Sequence, residues 1–346
     1  MKIVHVIFSF EIGGSECMLV DIVNEQAKSN DVSIIIINNI FDQGLVSEIN
    51  KNVKVYKLNR KEGSFSIWKI VRYNILINKL NPEVIHSHNS NAINFTWLIK
   101  KAKKILTLHT TGISSKYFYK FDKIICISKA VQNELNDKKI YDTYLCENGI
   151  NVNLIKVKND FKDTKFRLIQ VGSLIDGIKG QSIAIKALWD LINKHKYENV
   201  TLDFVGTGES YDFLKALSTS MNLDNYIKLN GLKDRGWIYE HLKDYQIQLQ
   251  PSIYEGFGLC VVEGMAAKIP VIVSDSEGPF EIIEKGRYGY FFSSGNSDDL
   301  SLRIKEVIDN YGFENMVSKL EEARNHILLN YTIQATVEKY SLVYKE

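Results

Sequence analysis

Short apolar, β-branched runs alternate along this chain with segments whose apolar positions recur at helical spacing. Lys2–Phe8 is the first run, and Glu16–Lys28 follows with Met18, Leu19, Ile22, Val23 and Ala27 on one helical face. Val32–Ile37, Val84–Ser87, Ile105–His109 and Lys123–Ile127 read as further strands, each followed by a helical or loop segment. Strands this short and this continuously apolar, joined by crossovers, predict a parallel, doubly wound sheet buried on both faces. After a polar, charged stretch at Asn153–Lys165, read as a linker, the pattern restarts. It gives strands at Arg167–Val171, Thr201–Val205, Ile227–Leu229, Ile247–Gln250 and Pro270–Val273, with a helix from Gln181 to about His195. Tyr331–Tyr344 carries Ile333, Val337, Tyr340, Leu342 and Val343 and predicts a terminal helix.

The fold class expected is α/β, with two Rossmann-like doubly wound parallel-sheet domains facing across a cleft. The N-terminal domain spans residues 1–157, the C-terminal domain spans 158–330, and 331–346 form a C-terminal helix. In such sheets ligands sit beyond the C-terminal ends of the strands, so chemistry is sought in the loops that leave them.

Composition narrows the classes. A chain of 346 residues holds about two domains, and 45% hydrophobic with 24% charged residues is ordinary for a globular protein. No apolar stretch nears the ~18 residues of a membrane span. The run Ile3–Phe8 is too short for a signal peptide, carries His5, and meets Glu11 and Glu16 without a cleavage pattern. The four cysteines (Cys17, Cys126, Cys146, Cys260) lack CxxC spacing and do not interleave with His5, His86, His88 and His109 as a zinc site would. They read as core residues in a reducing cytoplasm. Residues 1–157 carry 21 Lys/Arg against 14 Asp/Glu, whereas residues 158–346 carry 22 against 27. The basic half contains Lys100, Lys101, Lys103 and Lys104, and Lys51, Lys54, Lys57, Arg60 and Lys61. An anionic membrane surface is one reading and a solvated lysine-rich face the other. No nucleic-acid module is recognisable.

Several loops carry chemistry. Gly13 and Gly14 lie between the first strand and the first helix, where close backbone approach and a helix N-terminus suit an anion. The loop is not GxGxxG, which argues against a nicotinamide oxidoreductase. Val171-Gly172-Ser173 leads to Lys179, a cation placed at a helix start to meet a phosphate. Gly206 and Gly208 follow another strand. The strongest segment is EGFGLCVVEGMAA, in which Glu255 and Glu263 stand eight apart. Were it largely helical, the rise would separate the carboxylates by roughly 12 Å, too far for the paired acid and base of a hydrolase at ~5–9.5 Å. That spacing suits two hydroxyl-rich groups flanking a diphosphate, with backbone amides of Phe257, Gly258 and Leu259 turned to the phosphates.

In these motifs the sequence resembles the retaining glycosyltransferases of family 4, which have the GT-B fold. The resemblance covers nearly the whole chain and rests on Glu255 and Glu263 as the E-x7-E signature. Gly13-Gly14-x-Glu16, His109 of LTLHT, Asn148-Gly149-Ile150, VGSL…KG with Lys179, VGTGE, and GPFEII around Glu281 accompany it in order. It implies an enzyme that moves a sugar from a nucleotide donor, expected to be UDP-linked, to a glycan acceptor with retention of configuration. The pathway implied is a bacterial surface polysaccharide such as lipopolysaccharide O-antigen or capsule. Glu263 would bind ribose hydroxyls, Glu255 the donor sugar, and Lys179 the leaving diphosphate. His109 would reach the sugar, with Gly14 near the phosphate or reacting centre, the first domain serving the acceptor side and the second binding the nucleotide sugar. Gly13, Gly172, Ser173, Gly206, Gly256, Phe257, Gly258 and Leu259 would complete the donor site.

The resemblance also implies no cofactor beyond the nucleotide sugar and no essential metal. It implies a terminal helix that returns to the first domain, and an acceptor that is lipid-diphosphate-linked at the cytoplasmic face of the inner membrane. Many relatives have Arg where Ser173 stands, so here either Lys179 works with amides alone or another cation such as Arg235 reaches in. The competing readings are a sugar-nucleotide epimerase or hydrolase on the same fold, and a non-catalytic sugar-nucleotide-binding protein.

Overall fold

The structure is a computed structural model that describes residues 1–64, 66–97, 99 and 101–346. Lys100 of the first basic run lies outside the described residues. The chain forms two units, one of residues 1–150 with 333–346 and one of residues 151–332.

The first unit holds a seven-stranded sheet of β1 (Lys2–Ile7), β2 (Asp31–Asn38), β3 (Lys54–Arg60), β4 (Val84–Ser87), β5 (Lys103–Leu108), β6 (Lys123–Cys126) and β7 (Thr143–Leu145). All pairings are parallel, in the order β3-β2-β1-β4-β5-β6-β7. β1 and β2 are buried at every position after their first, as expected of strands covered by helices on both faces. The chain runs outward from β1 to β3 and then returns to β4 on the other side of β1. The crevice beyond the C-terminal ends of β1 and β4 is therefore the topological switch point.

Of the second basic run, Lys54, Lys57 and Arg60 lie on β3, beside β2. Lys54 pairs with Asp31 at 2.9 Å, Lys57 donates to Gln43 at 3.0 Å and lies over the Phe41 ring, and the buried Arg60 donates to Asn38 at 2.8 Å. In the other run, Lys103 donates to the Tyr344 carbonyl at 2.8 Å, which ties it to the terminal helix Ile333–Lys345. That helix belongs to the first unit and packs against the first helix, Gly14–Gln26.

The second unit holds six parallel strands: β8 (Phe166–Val171), β9 (Val200–Val205), β10 (Ile227–Leu229), β11 (Ile247–Gln250), β12 (Val271–Ser274) and β13 (Tyr290–Phe292). Their order is β10-β9-β8-β11-β12-β13, which puts the switch point between β8 and β11. Leu168, Leu202, Phe204, Leu249 and Ile272 from the strands, with Leu188 and Leu191 of the helix Gln181–Asn193, form its core. The polar stretch expected as a linker is part of this unit. Lys156 and Lys158 donate their backbone N–H groups to Tyr239 and Ala267 at 2.9 Å each, and Lys158 also pairs with Asp163 at 2.9 Å. The chain thus passes from one unit to the other at Ile150–Asn151 rather than at 157.

Candidate functional site

The second unit builds its cluster at the switch point. The loop leaving β8 contains Gly172 and the exposed Ser173, then a four-residue helix, Asp176–Lys179. Gly180 ends that helix with φ +66°, and a Cβ there would lie 2.1 Å from the Pro251 carbonyl oxygen. A glycine is thus what lets this loop lie against the one leaving β11. Gly206, at the end of β9, backs the same loop, because its Cβ would stand 1.9 Å from the Gly172 oxygen.

The loop leaving β11 brings Glu255 to Lys179, with Nζ to Oε2 at 2.5 Å. Both side chains are largely buried, at 20% and 16% exposure, so the charges reinforce each other in a poorly solvated place. Gln250, the last residue of β11, donates to the same Glu255 oxygen at 3.0 Å and to Ser252 Oγ at 2.9 Å. Gln170, near the end of β8, donates to the Lys179 carbonyl at 2.8 Å. Neither Gln170 Oε1 nor Gln250 Oε1 has a hydrogen-bond partner among the described residues, though both are buried.

Glu255 is not on a helix, which corrects the spacing argument. Residues 255–258 form a loop, and the helix begins only at Leu259 and runs to Ala266. Gly258 stands at φ +107°, outside helical geometry, and stops the helix from extending back toward Glu255. The helix N-terminus carries no side-chain cap. Phe257 is buried with its ring 5.9 Å from that of Tyr331. The backbone of Glu255 and Phe257 passes so close to Gly278 that a Cβ there would lie 2.7 Å from the Phe257 nitrogen.

Glu263 faces inward on the helix, 9% exposed. The Cys260 thiol, which donates to the Val171 carbonyl at 3.3 Å, marks how these charges gather. Burial pushes its pKa up most, and it also feels Glu263, Lys179 and Glu255. Arg235, the alternative cation, begins the helix Arg235–His241 and lies over the ring of its own Tyr239.

Gly13, Gly14 and His109 belong to the first unit. The helix Gly14–Gln26 starts directly after the β1 loop with Gly13 as an N-cap that offers no side-chain acceptor, and Ser15 donates to Glu16 at 2.7 Å. His109 follows β5 and joins a cluster not anticipated from the sequence. His109 Nε2 lies 2.9 Å from His88 Nδ1, and His88 Nε2 lies 3.0 Å from His5 Nδ1. His5 Nε2 then lies 2.8 Å from Gln26 Oε1. His86, level with His5 in the β1–β4 register, contacts the Tyr344 hydroxyl at 2.6 Å and Thr107 Oγ1 at 2.7 Å. Tyr344 in turn accepts from Gln26 Nε2 at 3.1 Å.

Burial holds these imidazoles neutral. His5 and His109 are lowered to about 4, and His86 and His88 well below the ordinary value, all with desolvation as the main cause. His5, His86 and His88 each offer a nitrogen within 4.8 Å of the others, a spacing that could serve a cation. Those nitrogens are engaged in the hydrogen bonds just described, which a cation would have to displace. A cavity of about 320 Å³ opens beside His88, lined also by Asn89, Ser114 and Tyr117.

Two parallel α/β sheets, each with polar groups collected where its strand order reverses, are the two Rossmann-like domains of the GT-B fold. The model of the family described as Glycosyl transferases group 1 matches residues 151–326, and that of Glycosyltransferase Family 4 matches residues 12–154. The chain belongs to the group 1 glycosyl transferases, and it is a transferase that takes a sugar from a nucleotide donor. It is 27% identical over 299 residues to an uncharacterized glycosyltransferase of Methanocaldococcus jannaschii, covering 82% of this chain and 78% of that one. It is 24% identical over 261 residues to a poly(ribitol-phosphate) alpha-N-acetylglucosaminyltransferase of Staphylococcus aureus, covering 74% and 49% respectively. The crystal structure of Anabaena HepE in complex with UDP and glucose superposes with a TM-score of 0.83 at 19% identity, covering 100% of this chain and 99% of that one.

Proposed function

We propose that the protein transfers a sugar from a UDP-linked donor to a glycan acceptor with retention of anomeric configuration, in the assembly of a bacterial surface polysaccharide. The observation that carries this reading is the Lys179–Glu255 pair at the β8–β11 switch point, together with the helix Leu259–Ala266, whose N-terminus is uncapped and which carries the inward-facing Glu263. A cation and helix amides answer a diphosphate, and carboxylates answer hydroxyls. In the proposed assignment Lys179 and the amides of Phe257, Gly258 and Leu259 take the diphosphate. Glu263 takes the ribose, and Glu255 the sugar. His109 and Gly14 act on the sugar and phosphate from the first unit.

In the reaction, the bond from the sugar C1 to the phosphate oxygen breaks and a bond from C1 to the acceptor oxygen forms on the same face. The acceptor proton passes to the departing phosphate. No protein nucleophile is needed, only positioning and stabilisation of the charge that develops on the leaving group. Lys179 starts that task paired with Glu255, so diphosphate binding exchanges one anionic partner for another while Gln250 remains on Glu255.

A lipid-linked acceptor and peripheral membrane contact draw support from the helix Ile67–Leu80. Trp68 and Ile75 are 68% and 60% exposed there, and Arg72 and Lys79 share their stripe. An exposed row of aromatic, apolar and basic side chains suits the interface of an anionic bilayer. Among the described residues no helix is long and apolar enough to cross a membrane. The test is calorimetric titration with nucleotides and nucleotide sugars. Glu263→Ala should abolish both donor binding and turnover, and a variant that binds and turns over like the wild type would overturn the assignment.

A further inference from the structure

The histidine cluster has a direction. A neutral imidazole carries one proton, so each ring in a hydrogen-bonded row can donate on only one side. Gln26 Oε1 can only accept, which puts the proton of His5 on Nε2 and leaves its Nδ1 bare. His88 Nε2 must then donate to His5, leaving His88 Nδ1 bare. His109 Nε2 must donate to His88, and His109 Nδ1 ends the row as an acceptor.

That last nitrogen is buried and has no hydrogen-bond partner among the described residues. Rotating the Gln26 amide by half a turn would invert every ring and leave a buried N–H without an acceptor, which is the rarer kind of unsatisfied group. The orientation present also suits the branch through Tyr344. Gln26 Nε2 donates to the Tyr344 hydroxyl, which is then free to donate to His86 Nδ1, and His86 Nε2 donates to Thr107.

We propose that Gln26 is a positioning residue that fixes the tautomer of His109 through His5 and His88, so that His109 presents a bare Nδ1 to a hydroxyl of the donor sugar. The tautomer is a property of the protein alone, while the identity of the hydroxyl rests on the function proposed above. The row reaches from the last residue of the helix Gly14–Gln26 to the end of β5 and needs no charged group. A bare nitrogen welcomes a hydroxyl and opposes a carboxylate, so the arrangement selects sugars that offer an O–H at this position over those that offer an anion.

Nitrogen-15 NMR of histidine-labelled protein, by long-range correlation of ring carbons' protons to ring nitrogens at neutral pH, reads each tautomer without substrate. His5, His88 and His109 are expected to show a protonated Nε2 and a bare Nδ1. A protonated Nδ1 on these rings would overturn the proposal, whatever the protein's activity. Gln26→Leu removes the terminal acceptor and should give His109 a mixture of tautomers with a fall in kcat/KM of about tenfold, the scale of one neutral hydrogen bond. Gln26→Glu, which still accepts from His5, should restore both the single tautomer and the rate. A His109 tautomer unchanged in Gln26→Leu would overturn the proposal. Correct tautomers in a protein that transfers no sugar would instead refute the functional reading and leave Gln26 in its role.

Discussion

Acidification should destabilise the first unit in a way that can be worked out from His5. Its pKa falls from 6.5 to about 4 because the ring is buried, with the Gln26 bond opposing. Between these values the unfolded chain binds a proton that the native chain does not. Stability therefore rises with pH across the window and is lost as pH falls through it. Going from pH 7 to pH 5, His5 alone contributes a loss of ~2 kcal/mol. His86, His88 and His109 are lowered for the same main reason, so all four act in one direction. Urea unfolding followed by circular dichroism at stepped pH gives the slope. His5→Asn, which lacks the titrating ring, should lower stability at pH 7 but show a pH dependence shallower by ~2 kcal/mol over the same interval. A wild type indifferent to pH across this window, or a variant with an unchanged slope, would refute the claim that these rings are held neutral by burial.

Other expectations follow from the second unit and the exposed helix. Lys179→Met leaves Glu255 with Gln250 as partner and removes the cation facing the departing phosphate, so initial rates of UDP release should fall by about 10²–10³. Gly180→Ala places a Cβ 2.1 Å from the Pro251 carbonyl at a φ of +66°, and the urea midpoint should report a loss of more than ~1 kcal/mol together with weaker donor binding. Replacing Trp68 and Ile75 with serine should cut sedimentation with anionic vesicles several-fold while leaving transfer to a water-soluble acceptor unchanged. Equal vesicle binding would remove the helix Ile67–Leu80 from the account.

How much was legible in the sequence differs by the range of the information required. Continuous apolar runs gave β1, β2, β4, β5 and β6 to within a residue or two, because their burial on both faces is written locally. β3 escaped because Lys54, Lys57 and Arg60 break up its apolar residues and read as a charge run. Glu255, Glu263 and Lys179 stood out by residue type and loop context, but the Lys179–Glu255 pair did not. That pair depends on β8 and β11 being neighbours, and the two strands lie far apart in the chain. The helical spacing assumed for the two glutamates failed at Gly258, whose backbone conformation the sequence does not print. The histidine row was missed for the same non-local reason. His5 stands alone in the apolar run of β1, and only the β1–β4 register brings it to His86 and His88. The glutamines at or next to the ends of apolar strands, Gln170 and Gln250, are a signal the sequence offers for these loops.

The central claim is sugar transfer from an activated donor with its anomeric configuration kept, and it is tested most directly by following one reaction mixture through its anomeric protons. The protein is mixed with a UDP-sugar and a glycan acceptor and monitored by proton NMR. The account predicts that the donor's anomeric signal decays as a single α-configured glycosidic signal grows with it. A β-linked product, free sugar without a glycoside, or an epimerised donor would contradict it.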